Sequence, residues 1–151
     1  MSELVTPAMR AWIGRSEPAI RFEVTRRDIV KYALATDQRL RKYVDGDEAP
    51  PMFLFGADRA LSPLAALGPD GLRNDPLMPE LPLKRVMAGG VKQRYFRALR
   101  PGDVVMIQRR LTDIYAKHGS SGPLIFIVYE IRVTDVDGDL VMLETQTRIN
   151  R

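Results

Sequence analysis

At 151 residues the chain is about one domain in length, enough to bury a core without disulfides or a metal. It has no cysteine, which excludes a disulfide framework and all thiolate chemistry and is compatible with a reducing cytoplasm. Its 23 Lys and Arg against 19 Asp and Glu give a net charge of +4, but the positives are scattered through RRD, RLRK, KQR and RR beside acidic residues. Without interleaved aromatics this is not a nucleic-acid pattern, and the modest positive potential suits an anionic small molecule carrying phosphates or a carboxylate.

The opening MSELVTPAMRAWIG lacks the basic-then-apolar order of a signal peptide, and no apolar run approaches the roughly 20 residues of a membrane span, so a soluble cytoplasmic protein is expected. Residues 19–24 (AIRFEV) alternate over a short strand. Thr25 then caps a helix with Asp28 in its first turn and Ile29, Val30, Ala33 and Leu34 as its apolar stripe, ending near Thr36. After the charged stretch DQRLRKYVDGDE comes APPMFLFGA at 49–57, a proline pair and a solid apolar run, which predicts a helix entered through proline and buried nearly all round. Residues 62–87 are rich in Pro, Gly and Asp with no sustained period, and read as a long excursion. It is either functional, covered by a partner, or packed on its own leucines.

From Ala88 the chain becomes a series of antiparallel strands punctuated by Pro101-Gly102, by the GSSG turn at 119–122 and by Asp137-Gly138. Along 124–133, Ile125, Ile127, Tyr129, Ile131 and Val133 share one face, buried for its whole length, while the opposite face passes from Leu124, Phe126 and Val128 to Glu130 and Arg132. Asp-Gly suits a type I′ turn, which folds the last strand straight back with Val141, Leu143, Thr145, Thr147 and Ile149 on one side. There is no second domain, repeat, metal-ligand cluster, nucleophile elbow or GxGxxG.

In this order, the motifs IGRSEPAIRFEVTRRDIVKYALATD, APPMFLF, GGVKQRYFRALRPGD, YAKHGSSGPLIFIVYE and DGDLVMLETQTRI resemble the MaoC-like dehydratases, the (R)-specific enoyl-CoA hydratases of the hot-dog fold, and particularly their N-terminal-type dehydratase domain. The resemblance spans nearly the whole chain. It implies a single α+β hot-dog domain over 1–151, a curved antiparallel sheet wrapped around a central α-helix, with the excursion at about 62–87. Catalytic members hydrate a trans-2-enoyl thioester through an Asp and a His in a G-D-x-N-P-x-H loop. The corresponding loop in this chain is Thr36-Asp37-Gln38-Arg39-Leu40-Arg41-Lys42, which keeps only the Asp.

A lysine of ordinary pKa is protonated near neutrality, so Lys42 is no substitute for the His. His118, the sole histidine, reads as a solvated side chain in the AKHGSSG turn. Asp37 is the one catalytic candidate, set against the reading that it satisfies backbone groups past a helix end. For thioester binding the candidates are Pro51, Phe53 and Phe55 along the central helix, whose N-terminal amides can polarise a carbonyl, and Lys117, Ser121 and Gly122, where a glycine- and hydroxyl-rich turn beside cations can hold phosphate oxygens. The same turn reads more readily as a hairpin loop using glycine for geometry, and Arg94, Arg97 and Arg100 as a solvated strand face rather than a coenzyme A clamp.

The expected function is a subunit of an enoyl-CoA hydratase or 3-hydroxyacyl-thioester dehydratase with a degenerate active-site loop, assisting acyl-CoA binding for a catalytic MaoC-like partner. The alternatives are a non-catalytic homodimeric acyl-thioester-binding module and an autonomous hydratase using Asp37. No metal and no cofactor beyond the coenzyme A of the substrate is expected. A homodimer or heteromer is, because hot-dog sheets pair edge to edge.

Overall fold

The computed structural model describes residues 4–57 and 59–151. Five antiparallel strands, β1 (Ile20–Glu23), β2 (Val86–Tyr95), β3 (Val104–Gly119), β4 (Gly122–Asp135) and β5 (Leu140–Asn150), form one sheet in the order β1-β3-β4-β5-β2. β3, β4 and β5 are joined as consecutive hairpins, and the shorter early strands close the two edges. Period-two patterning sets the buried face. Ile125, Ile127, Tyr129, Ile131 and Val133 of β4 are all buried, as the sequence predicts. They stand beside Val105, Ile107, Leu111 and Ile114 of β3, with Val133 opposite Ile107 and Ile127 opposite Ile114. A register shift between Leu111 and Asp113 turns Ile114 back to the core side of the bulged strand. Each such aliphatic side chain contributes about 1.5–3 kcal/mol by leaving water.

Both hairpin turns differ in detail from their sequence reading. The β3–β4 ladder continues through a Gly119–Gly122 pair, so only Ser120 and Ser121 form the turn, and Lys117 and His118 lie at a strand end. The β4–β5 connection folds straight back but is not type I′. Gly138 alone has positive φ (91°), and Asp135 Oδ1 accepts from the amides of Asp137 (3.0 Å) and Asp139 (2.9 Å). An aspartate bonding to backbone two residues on provides a turn that the Asp-Gly pair alone does not specify.

Two α-helical pieces follow β1: α2 (Arg26–Ala35) and α3 (Arg41–Val44); a first short helix, α1 (Pro7–Arg10), precedes it. Thr25 caps α2, its hydroxyl accepting the Asp28 amide at 3.1 Å. Ile29 and Ala33 are buried, whereas Leu34 is 66% exposed and leaves the predicted stripe. Ile29 belongs to the same core cluster as the strand residues.

The helix expected at 49–57 is instead a run of turns over 51–57. Met52 has φ 69° and Gly56 φ 86°, conformations an α-helix excludes, and the amides of Phe53, Phe55 and Ala57 reach back only three residues, to Pro50, Met52 and Leu54. Leu54 is buried and Phe53 packs edge-on against Phe22 and Tyr32, with centroids 6.1 and 5.8 Å apart, but Phe55 is 56% exposed. The excursion carries one short 3₁₀ turn (Leu64–Ala66) and sends Leu77 and Leu81 into the main core, while Leu64 and Leu72 stay exposed, so it is anchored to the sheet rather than packed on its own leucines. Among the described residues no helix is long and apolar enough to cross a membrane.

Candidate functional site

The loop after α2 is built as a helix terminator. Asp37 has φ 51°, its amide donates to Leu34 O (3.3 Å) and the Gln38 amide to Ala33 O (2.9 Å), so Asp37 fills the left-handed position that closes a helix. Its carboxylate, 82% exposed, meets Arg39 at 3.1 Å. Lys42 donates to Glu48 at 2.8 Å and lies 4.9 Å from the Tyr43 ring; its hydrogen bond to Glu48 raises its pKa, so it stays a cation. No pair of groups able to share a proton stands between 36 and 42.

The other expected site residues lie in separate places. Pro51 borders a cleft of about 250 Å³ with Tyr43, Glu48, Tyr95 and Arg97, Phe53 is in the aromatic packing described above, and Phe55 lines a different cleft. Lys117 stands 5.4 Å from the rings of both Tyr115 and Phe126, which are stacked on each other at 5.0 Å. Ser121 borders a groove that also contains Lys84, Arg85 and Arg151, and Gly122 closes the hairpin beside it. Lys117, Ser121 and Gly122 thus share one hairpin end, apart from the clefts of Pro51 and Phe55. His118 is exposed opposite Pro123. Arg97 is held by Asp103 at 2.9 Å, and Arg94 covers the Phe96 ring at 4.9 Å.

What sequence reasoning missed is a buried polar network. Arg109, 2% exposed, forks onto Asp75 (Nη2 to Oδ1 2.5 Å, Nη1 to Oδ2 3.1 Å) and donates through Nε to Glu17 at 2.8 Å. Tyr129 donates its hydroxyl to Asp75 at 3.1 Å, and Arg73 donates to Glu17 at 2.7 Å. Burial alone pushes the Asp75 carboxyl up, but the Arg109 hydrogen bonds and charge, the Leu77 amide and the Tyr129 hydroxyl outweigh it and hold the carboxyl below its ordinary value. Burial and then the Asp75 charge push the Tyr129 phenol up, so it remains a donor. A signal was present: in VVMIQRRL, Arg109 occupies the inward position between Ile107 and Leu111.

A second polar group lies toward β2. On β5 the side facing the core is the even-numbered one, Met142, Glu144, Gln146, Arg148 and Asn150, because these residues pair with Val133, Ile131, Tyr129, Ile127 and Ile125. Glu144, 2% exposed, accepts from Gln93 and, at 2.5 Å, from Gln146 Nε2. Above this side opens a cleft of about 310 Å³ whose wall includes Phe55, Arg59, Val91, Tyr129, Gln146 and Arg148. Among the described residues no three His, Cys, Asp or Glu side chains gather as for a metal ion.

The family model for the FAS1-like dehydratase domain region matches residues 11–144. The chain belongs to this family, a MaoC-like hot-dog dehydratase family. The fold is the hot-dog fold, shared with a chain of the ChsH1-ChsH2 complex from Mycobacterium tuberculosis at TM-score 0.67 and 20% identity, covering 95% of this chain and 91% of that one. The C-terminally truncated HadBC (3R-hydroxyacyl-ACP dehydratase) complex of the same organism aligns at TM-score 0.60 and 14% identity over 91% and 96% of the two chains. R-hydratase PhaJ1 of Pseudomonas aeruginosa aligns at 0.59 and 14% over 91% and 81%. No curated protein matches.

Proposed function

We propose that this chain is the non-catalytic subunit of an enoyl-CoA hydratase or 3-hydroxyacyl-thioester dehydratase, binding acyl thioester beside a MaoC-like chain that supplies the Asp–His pair. The observation that carries this reading is the loop after α2, where the one acidic residue closes the helix through its backbone with its carboxylate exposed on Arg39, and the position expected for the base holds an ion-paired ammonium. Adding water across an enoyl thioester requires a proton to leave water and another to reach C2. General acid-base catalysis needs groups that exchange protons near neutrality, and an ammonium whose pKa is raised does not.

The partnership is supported by the sheet edge. β2 pairs with β5 on one side only, and its outer side presents backbone groups together with exposed Val91, Tyr95 and the adjoining Phe96. Two of the structural neighbours are themselves complexes by name. Lys117, with Ser121 and Gly122 on the same hairpin, is the cation we assign to coenzyme A phosphates, and Phe55, in its own cleft, is the residue we assign to the acyl chain, since Pro51 lines another cleft and Phe53 is packed against Phe22 and Tyr32.

The test is hydration of crotonyl-CoA and longer enoyl-CoAs, followed by loss of enoyl absorbance, with the purified chain alone and with a MaoC-like partner carrying an intact loop. Turnover should require the partner. Activity of the chain alone that disappears in Asp37→Asn would make it an autonomous hydratase and sink the subunit reading.

A further inference from the structure

The cleft beside Phe55 lies where the turns of 51–57 meet β2, β4 and β5. Its lining has two features that do not suit an empty protein surface. Three of the chain's exposed large hydrophobic side chains, Phe55 (56%), Val86 (51%) and Val91 (41%), gather in it. Their company is cationic. Arg148 spends its Nε on Asn150 Oδ1 (3.3 Å), and among the described residues neither its terminal nitrogens nor Arg59 meet a carboxylate. Asp75, also in the wall, is already matched: Arg109 and Arg73 balance Asp75 and Glu17 within the buried network. Among the described residues the cleft therefore holds two guanidiniums with no carboxylate partner beside bare apolar surface, and its volume lies at the lower end of small-molecule pockets.

We propose that this cleft binds the carboxylate end of a short acyl chain, Arg148 and Arg59 pairing the anion while Phe55, Val86 and Val91 cover the methylenes. Arg is suited to this because its planar fork matches a carboxylate bidentately. Gln146 adds a selective contact. With its Nε2 committed to Glu144, its Oε1 takes no hydrogen bond from the described residues and is left as an acceptor in the cleft wall, where a hydroxyl or amide N–H on the ligand satisfies it. The inference deepens the acyl-thioester reading only in what carries the carboxylate; the anion and apolar contacts stand on the cleft itself.

Calorimetric titration of the full chain with octanoate, octan-1-ol and inorganic phosphate probes the cleft without a thioester, and suberyl-CoA, octanoyl-CoA and free coenzyme A add one. Octanoate should bind at least about tenfold more tightly than octan-1-ol, and suberyl-CoA more tightly than octanoyl-CoA by a similar factor. Arg148→Gln should weaken octanoate and suberyl-CoA by about tenfold to a hundredfold and leave octanoyl-CoA and free coenzyme A unchanged. If that variant fails to fold by circular dichroism, Arg59→Ala, on an exposed residue, is read with the same expectation. Equal binding of acid and alcohol overturns the proposal, as does absence of any acid binding. Equal weakening of octanoate and free coenzyme A or phosphate overturns it too, by assigning the arginines to phosphate. Octanoate binding through Arg148 with no acyl-CoA binding would keep the site and remove the thioester reading; octanoyl-CoA binding without any preference for the carboxylate would do the reverse.

Discussion

Two Asp–Arg pairs divide this molecule. Asp75 and Arg109, 34 residues apart, meet with side chains only 12% and 1% exposed, whereas Asp37 and Arg39, two residues apart, meet with 82% and 86% of theirs in water. The first fastens the long excursion to the centre of the sheet, and its arginine also holds Glu17 from the segment before β1. The second decorates the end of a helix. An exposed pair contributes about 0–1 kcal/mol, whereas breaking a buried one leaves a charge that neither water nor protein solvates. The loop where family resemblance places catalysis is thus energetically light, and the irregular excursion is where the sequence has invested a desolvated charge network.

The largest effect should come from breaking the buried pair on one side. Arg109→Met leaves Asp75 and Glu17 facing a methionine in the core and should cost about 3–5 kcal/mol, read as a fall in the urea midpoint. Replacing both partners, Arg109→Met with Asp75→Leu, should recover most of that loss, since apolar residues of similar volume are often as stable as a buried ion pair. A single-variant loss below about 1 kcal/mol would mean that the network is solvated and the contrast with Asp37 is not real.

Much of the sheet was legible because β4 alternates without interruption and each hairpin carries its turn residues. α2 was legible from Thr25, Asp28 and the Ile29–Ala33 spacing. The turn-built segment at 51–57 was not, because a proline pair before an apolar run has the composition of a helix start, while Met52 takes a left-handed φ that no local pattern demands. The inward face of β5 also misleads. Its odd positions hold the aliphatic and threonine residues, yet Glu144, Gln146, Arg148 and Asn150 face inward because pairing with β4 fixes the register. Asp75 could not be placed from sequence at all: its partner is 34 residues away, and only the fold joins them. That residues 36–42 lack the His the resemblance leads one to expect is legible at once, since an absent residue type needs no geometry.

Acid sharpens the comparison by a smaller amount. The Asp75 pKa is lowered in the folded protein, while an unfolded aspartate titrates near about 3.9. The unfolded chain therefore takes up the proton first. The carboxylate's contribution is complete above about pH 4 and is lost as pH falls through the lower folded value. The stability difference between wild type and Asp75→Asn should be constant between about pH 7 and 5 and shrink below about pH 4. A difference that already shrinks at neutral pH would mean that Arg109 and Tyr129 do not outweigh burial.

The smallest effect is expected at Asp37, and its smallness is informative. At φ 51° a glycine is unstrained, so Asp37→Gly relieves the left-handed position while giving up the exposed contact with Arg39, and the two nearly offset. Its stability should stay within about 0.5 kcal/mol of wild type, whereas Asp37→Val, which puts a β-branched side chain in the same left-handed conformation, should lose about 1–2 kcal/mol. Beside the proposed catalytic partner, turnover of enoyl-CoA should be unchanged in Asp37→Gly, because Asp37 closes the helix through its backbone and its carboxylate meets only Arg39. A variant of wild-type stability whose assembled complex no longer turns over would place Asp37 in the chemistry, and the division between a structural and a catalytic aspartate would then run the other way.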